Sequence, residues 1–398
     1  MSWPNARLGD VCSVTPGFAF KSVDFRPEGI PVIKIANIRD DYTVDLTDTQ
    51  CWPNDLFSDR LKKFVLRDKD ILIAMTGATA GKLGRVRTVQ DLLLNQRVAK
   101  IEAIDADPDF IWFALSSPKY RERFFSIAGG AAQPNMSGGQ IEAVEIPKPP
   151  LQSQRMIAAI LSAYDNLIEN NRRRMALLEE TARQLYREWF VRLRFPGHEH
   201  TRITKGVPEE WDRKRIEDVA IVNRETLPGS FDGQIDYIDI SSVTPGNINQ
   251  ITPYDFRDAP SRARRVVQHG DIIWSCVRPN RRSYAVIWQP TPYLIVSTGF
   301  AVITPMTVPT AFLLQAVTTD LFVGYLENHA RGAAYPAVVA GDFERAEILV
   351  PRASLIEAFN KKAESLMSQS HTLSLQNQKL RAARDLLLPR LMNGEIAA

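Results

Sequence analysis

The chain has 398 residues, 44% apolar and 24% charged, with a formal net charge of +3. That length accommodates roughly two to four domains with buried cores, and the composition excludes a collagen-like, low-complexity or disulfide-framed chain. Cys12, Cys51 and Cys276 are far apart and form no C-x-x-C, no signal-peptide pattern or long apolar span is read, and the expectation is a cytoplasmic protein with no membrane partner and no metal site.

In chain order, the first half opens with Arg7-Leu8-Gly9-Asp10-Val11 behind Trp3, followed by the β-rich runs "IPVIKIANI" and "DILIAM". Next comes "TGATAGK", residues 76–82, which ends in Gly-Lys like a phosphate loop. A phosphate loop needs G-x-x-x-x-G-K-[ST] at the start of a helix. Here Gly77 and Gly81 enclose three residues, Leu83 stands where the hydroxyl is required, and Leu83-Gly84-Arg85-Val86-Arg87 reads as another strand. The loop is therefore not read as a nucleotide site. A helical segment is expected near 109–125. After "IPKPP" the chain runs from Gln152 to about Arg192 without Gly or Pro and stops at Phe195-Pro196-Gly197, which predicts one long helix. Ile157, Leu161, Tyr164, Ile168, Asn171, Met175, Leu178, Ala182, Leu185 and Trp189 step by four and three, the spacing of a coiled-coil seam.

The second half repeats this order. Arg215-Ile216-Glu217-Asp218-Val219 follows Trp211, Ile238–Val243 matches Ile33–Ile38, and Asp271-Ile272-Ile273 matches Asp70-Ile71-Leu72. "GAAYPAVVAGDFERAEI" from Gly332 matches "GAAQPNMSGGQIEAVEI" from Gly130, and a helical segment is expected near 310–328. A second long helix is expected from Ser354, with Glu357 completing a capping box and Pro389 ending or kinking it. Its seam is Phe359, Ala363, Leu366, Ser370, Leu373, Asn377, Leu380, Arg384 and Leu387; advancing the first seam by 202 positions, Ile157 to Phe359, lands on it. Asn171 and Asn377 fall in the seams, where an Asn fixes register or sits solvated at an edge.

The expected fold class is α+β: two pseudo-repeated mixed α/β domains separated by two long antiparallel coiled-coil helices. The expected boundaries are 1–150, 151–194, 195–350 and 351–398. Basic residues cluster at Lys62, Lys63, Lys82, Arg85 and Arg87, and again at Arg262, Arg264, Arg265, Arg278, Arg281 and Arg282. A polyanion site and a solvated basic surface both fit these clusters. Two diverged domains on a rigid spacer suit an elongated ligand with two separated sites, for which duplex DNA is the natural choice. The copies differ at "MTGATAGKLG" and "CVRPNRRSYA", whereas a structural loop is expected to stay alike. Candidate DNA-binding residues are Thr76, Thr79, Lys82, Gln133 and Asn135 in the first copy and Arg278, Asn280, Arg281, Arg282 and Tyr335 in the second. Each could meet phosphate or base, and Thr76 and Asn135 also suit turn and cap positions.

The segments "IPKPPLQSQRMIAAILSAYDNLIENNRRRMALLEETARQLYREWF", "SCVRPNRRSYA", "TGATAGK" and "LLLPRLMNGEI" resemble the specificity subunit of type I restriction–modification systems, over nearly the whole chain. "LVPRASLIEAF" departs from the family's usual start of the second helix. The resemblance implies two target-recognition domains reading the halves of an asymmetric, interrupted double-stranded DNA target. It implies helices that bind two methyltransferase subunits, a nuclease–translocase subunit that joins them, and no catalytic residue in this chain. No cofactor is expected here, with S-adenosylmethionine, ATP and Mg expected on the partner subunits. The absence of a [DNS]-P-P-[YFW] motif and of a complete phosphate loop agrees. An ATPase or self-sufficient DNA methyltransferase, and a coiled-coil scaffold that does not bind DNA, are the alternatives.

Overall fold

The structure is a computed structural model that describes residues 3–129 and 134–396. It divides into two compact units: Met1–Asn170 with Asn377–Ala398, and Asn171–Gln376. Each unit holds one mixed domain and takes a part of both long helices, because the ends of those helices are built into the domain cores.

In the first unit one antiparallel sheet has the order Cys12–Pro16, Val98–Ala103, Ile71–Ala74, Leu83–Arg85. A second has the order Cys51–Trp52, Ile30–Ile33, Leu92–Leu94, Val65–Leu66, in which the pair Ile30–Ile33 and Leu92–Leu94 is parallel. The runs Ile71–Ala74 and Leu92–Leu94 are apolar and buried at every position, as strands covered on both faces must be. The helical segment expected near 109–125 is two helices, Pro108–Leu115 and Pro118–Ala128. Asp107 caps the first by accepting from Phe110 N at 3.0 Å. The break falls at Pro118, which has no N–H to continue the ladder and suits a first helical position.

The second unit repeats the plan. Its sheets run Ala220–Val222, Phe300–Pro305, Ile272–Ser275, Tyr284–Val286 and Thr252–Asp255, Gln234–Ile238, Leu294–Ser297, Ala263–Val266, again with one parallel pair. Its helices are Thr310–Val317 and Asp320–His329. Matched residues make matched bonds. Arg7 N donates to the Asp10 carboxylate at 3.1 Å and Arg215 N to that of Asp218 at 2.9 Å. Asp70 and Asp271 accept from Arg67 N and Gln268 N, and burial pushes both carboxyls above their ordinary range.

The central helix spans Leu151–Tyr186 and continues as a π-helical turn, Arg187–Val191, in which Arg192 N reaches Arg187 O at 2.8 Å. The C-terminal helix spans Ala353–Met392. Every seam residue read from the sequence is buried or half-buried. In the first unit Ile157 and Leu161 join the domain core with Leu388, Leu391 and Met392. There Asn377 Nδ2 donates to Ile168 O at 3.3 Å and Arg384 Nη1 to Asp165 at 2.5 Å, so the two helix segments run antiparallel. In the second unit Tyr186, Trp189 and Phe190 meet Phe359 and Ala363 in the domain core, and Ser370 Oγ donates to Glu179 at 3.4 Å. Both seam asparagines are buried, Asn377 with only 3% of its surface exposed, so neither sits solvated at an edge.

Two details differ from the sequence reading. Ser354 lies inside the C-terminal helix rather than at its cap; Leu355 N and Ile356 N bond Arg352 O instead. Pro389 does not end the helix. Its lost backbone bond and ring clash cost about 3 kcal/mol in a helix interior, but it lies on the exposed side while Leu388, Leu391 and Met392 bury against the core.

His371 of the C-terminal helix stacks on Trp288, with ring centroids 5.3 Å apart, and His269 meets the same indole edge-on at 5.0 Å. Desolvation, then the proximity of His269, lowers the His371 pKa below its ordinary 6.5. The folded state therefore holds His371 neutral. Stability is unaffected above pH 6.5; as pH falls through that value the unfolded chain takes up the proton first, and folding loses free energy. The expected result is that His371→Phe, which keeps a ring on Trp288, flattens the fall of the denaturation midpoint as pH drops below 6.5, measured by urea unfolding across pH.

Candidate nucleic-acid interface

"TGATAGK" forms the tip between strands Ile71–Ala74 and Leu83–Arg85. Gly81 N donates to Ala74 O at 2.8 Å, Ala74 N to Lys82 O at 2.8 Å and Ala80 N to Gly77 O at 3.0 Å. A second segment buttresses it: Gly77 N bonds Pro134 O at 2.8 Å, Thr76 bridges Asn135, and Met136 N bonds Met75 O at 2.8 Å. Gly77 and Gly81 carry the left-handed φ values of 79° and 83° that this turn requires.

The second domain builds the same tip from "VRPNRRS". Ser275 N bonds Ser283 O at 2.8 Å and Arg281 N bonds Arg278 O at 2.9 Å. Arg278 N bonds Pro336 O at 2.7 Å, Val277 bridges Ala337, and Val338 N bonds Cys276 O at 2.9 Å. Arg278 and Arg282, which take the places of Gly77 and Gly81, both have φ of 52°. The loop backbone is thus common to both copies and only its side chains differ. A non-glycine residue in this conformation costs about 1–2 kcal/mol, so two arginines sit in a strained frame that glycine would fill without strain.

The frame also shows what the first loop is not. It feeds a strand rather than a helix, and Lys82 Nζ lies 3.2 Å from Asp40 with the side chain only 14% exposed. Asp40 also receives Arg121, and its carboxyl is held below the ordinary range chiefly by the hydrogen bond from Lys82.

The candidate side chains occupy distinct situations. Thr76 is half-buried, Thr79 and Asn135 are exposed, and Gln133 lies outside the described residues. Arg278 lies 4.7 Å from the centre of the exposed Tyr335 ring and donates to Ala334 O at 3.2 Å, so the loop arginine and the tyrosine of the buttress form one stacked pair. Asn280 and Arg281 are exposed at the tip. Arg282 is drawn into an ion pair with Asp320, whose carboxyl is lowered first by Arg282 and further by Arg187 and Arg183 of the central helix. Arg85, counted with the first basic cluster, is buried against Asp109 with its guanidinium 5.4 Å from the Trp112 ring. The carboxylates Asp40 and Asp320 were missed in the sequence because they lie far from their partners along the chain. Among the described residues no group of three metal-ligating side chains occurs, and no helix is long and apolar enough to cross a membrane.

A family profile described as "Type I restriction modification DNA specificity domain" matches residues 2–180. Residues 2–180 thus carry a type I restriction–modification DNA specificity domain, and the chain is similar over its length to type I specificity subunits. It is similar to the type I restriction enzyme MjaIX specificity subunit of Methanocaldococcus jannaschii, at 22% identity over 304 residues covering 72% of this chain and 69% of that one. It is also similar to the EcoBI specificity subunit of Escherichia coli, at 21% identity over an aligned 431 residues covering 100% of this chain and 87% of that one. The crystal structure of the type I restriction–modification S subunit from M. genitalium shares the fold, with a TM-score of 0.57 at 14% identity over 98% of this chain and 96% of that one. These relatives are named specificity subunits of type I restriction enzymes, the non-catalytic, DNA-recognising members of their systems.

The two glycines of the first tip are expected to respond differently to substitution. Among the described residues a Cβ on Gly77 meets nothing within 4 Å, whereas one on Gly81 falls 2.7 Å from Phe124 Cβ. Gly77→Ala should cost only the backbone strain, about 1–2 kcal/mol, and Gly81→Ala should add an overpacking term of about 1–3 kcal/mol. Denaturant unfolding of the two variants measures the difference; equal losses contradict the frame.

Proposed function

We propose that the chain acts as a specificity subunit in which each mixed domain reads one half of an asymmetric, bipartite double-stranded DNA target, and that the long helices carry two methyltransferase subunits and, through them, a nuclease–translocase subunit. The observation that carries the reading is one loop backbone with two side-chain sets: Gly77, Thr79 and Gly81 in the first copy, Arg278, Asn280, Arg281 and Arg282 in the second. Arginine forks suit guanine and Asn suits adenine in the major groove, so one frame with two sets of groups recognises two different half-sites. A second apolar line on the central helix supports partner binding. Met156, Ile160, Ala163 and Leu167 step by four, three and four beside the seam and are all exposed. S-adenosylmethionine, ATP and Mg belong to the partner subunits in this reading, and the assembly is cytoplasmic.

The deciding experiment is methylation mapping in cells that carry the chain with its partner subunits. Exchange of residues 1–150 for those of a homologue should change one half of the methylated target and leave the other; a change in both halves contradicts independent reading. A second expectation concerns Arg281, exposed at the second tip. Arg281→Ala should either relax one position of one half-site or weaken binding to all sequences alike and reduce the salt slope by about one. Binding titrations at several salt concentrations separate these outcomes, and unchanged affinity and specificity would remove the residue from the interface.

A further inference from the structure

The first tip, unlike the second, offers DNA little charge of its own. Gly77, Ala78, Ala80 and Gly81 carry none, and Lys82 is covered and paired with Asp40. A cation does stand beside it, on a neighbouring turn. Residues Asn95, Gln96 and Arg97 join strand Leu92–Leu94 of one sheet to strand Val98–Ala103 of the other. Arg97 O accepts from Met75 N at 2.9 Å, directly ahead of the tip. The turn is fixed on every side. Phe18 N bonds Leu94 O at 2.9 Å, Asn95 N bonds Ile33 O at 3.1 Å, and Val98 N bonds Asn95 O at 3.0 Å. Gln96 and Arg97 are exposed, and neither side chain has a hydrogen-bond or ion-pair partner among the described residues.

The same turn in the second domain has the same backbone bond, Cys276 N to Gly299 O at 2.8 Å, but glycine in place of the arginine. A Cβ on Gly299 would fall 2.2 Å from Ile240 Cδ1, so a side chain there requires Ile240 to move. The two domains thus put their arginines on opposite members of one loop pair. The second has Arg278, Arg281 and Arg282 on the tip and Gly299 on the turn; the first has Gly77 and Gly81 on the tip and Arg97 on the turn.

We propose that Arg97, with Gln96 beside it, is a base-reading, specificity-determining residue of the first domain. This rests on the reading of that domain as a half-site reader. A rigid turn that presents an unpaired guanidinium supplies the fork for guanine without first breaking an ion pair, and Gln96 supplies the amide for adenine. Lys82 and Arg282 lack that freedom, being already paired with Asp40 and Asp320.

The test is methylation mapping and DNA binding by the complex of this chain with its methyltransferase subunits, using Arg97→Ala and Arg97→Lys beside the exchange of residues 1–150. Arg97→Ala should reduce discrimination roughly ten- to hundredfold at one position of the half-site that the exchange alters. The other half-site should remain intact, which also reports that the complex is folded and assembled. Arg97→Lys, which keeps the charge but not the fork, should leave that position relaxed. The proposal is overturned if Arg97→Ala leaves the target unchanged while the exchange alters one half. It is also overturned if Arg97→Ala weakens all sequences alike and Arg97→Lys restores binding, the mark of a phosphate contact. If the exchange alters neither half, or both, the half-site reading itself fails, and this proposal with it.

Discussion

The burial of the long helices' ends in the domain cores is the interaction on which each unit is organised. Phe190 and Phe359 lie with ring centroids 5.1 Å apart, and Tyr186, Trp189 and Phe312 surround them, so helix and domain share one aromatic cluster. In the other unit Ile157, Leu161, Leu388 and Leu391 play that part with aliphatic side chains. Burying a large apolar side chain contributes about 1.5–3 kcal/mol, and each unit buries several on both helix segments. A helix segment and its domain therefore form one folded body, and the division into compact units passes through the helices rather than beside them.

That rigidity gives the loops their character. Each tip is held by bonds to its own strands and to the buttress that carries Pro134 or Pro336, and the strain of Arg278 and Arg282 persists because these bonds determine the backbone independently of the side chains. Carboxylates then sort the cations. Asp40 takes Lys82 and Arg121, Asp320 takes Arg282, and Asp109 takes Arg85, while Arg97 and Arg281 are left exposed and unpaired among the described residues. The basic clusters visible in the chain thus contain paired cations, a buried cation and free ones, with different chemical futures.

The seam and the duplication were legible because each depends on periodicity or on long stretches of like sequence. A heptad survives as burial or half-burial at every one of its positions, with Asn171 and Asn377 among the buried ones. The ends of the helices were less so. Pro389 is a strong local stop signal, yet the apolar residues around it face a core that only the folded chain supplies. The left-handed backbone of Arg278 and Arg282 was hidden for a related reason: the usual sign of such a turn is glycine, and it is present in one copy only. The aspartate pairings and the place of Arg97 were not legible, since Asp40 and Lys82, or Arg97 and Met75, meet through tertiary structure with no local pattern to announce them.

The space around Gly77 has an evolutionary meaning. Glycine is the least strained occupant of both left-handed positions, so a tip that holds it keeps a backbone on which other side chains can be tried. At Gly77 a side chain meets none of the described residues and risks only the backbone strain, so mutation there can be tried without repacking them. At Gly81 Phe124 stands in the way, and a new side chain must wait for a compensating change in the helix. The first tip is therefore open to new side chains at one end of its loop and closed at the other, and sequence drift within it is channelled accordingly.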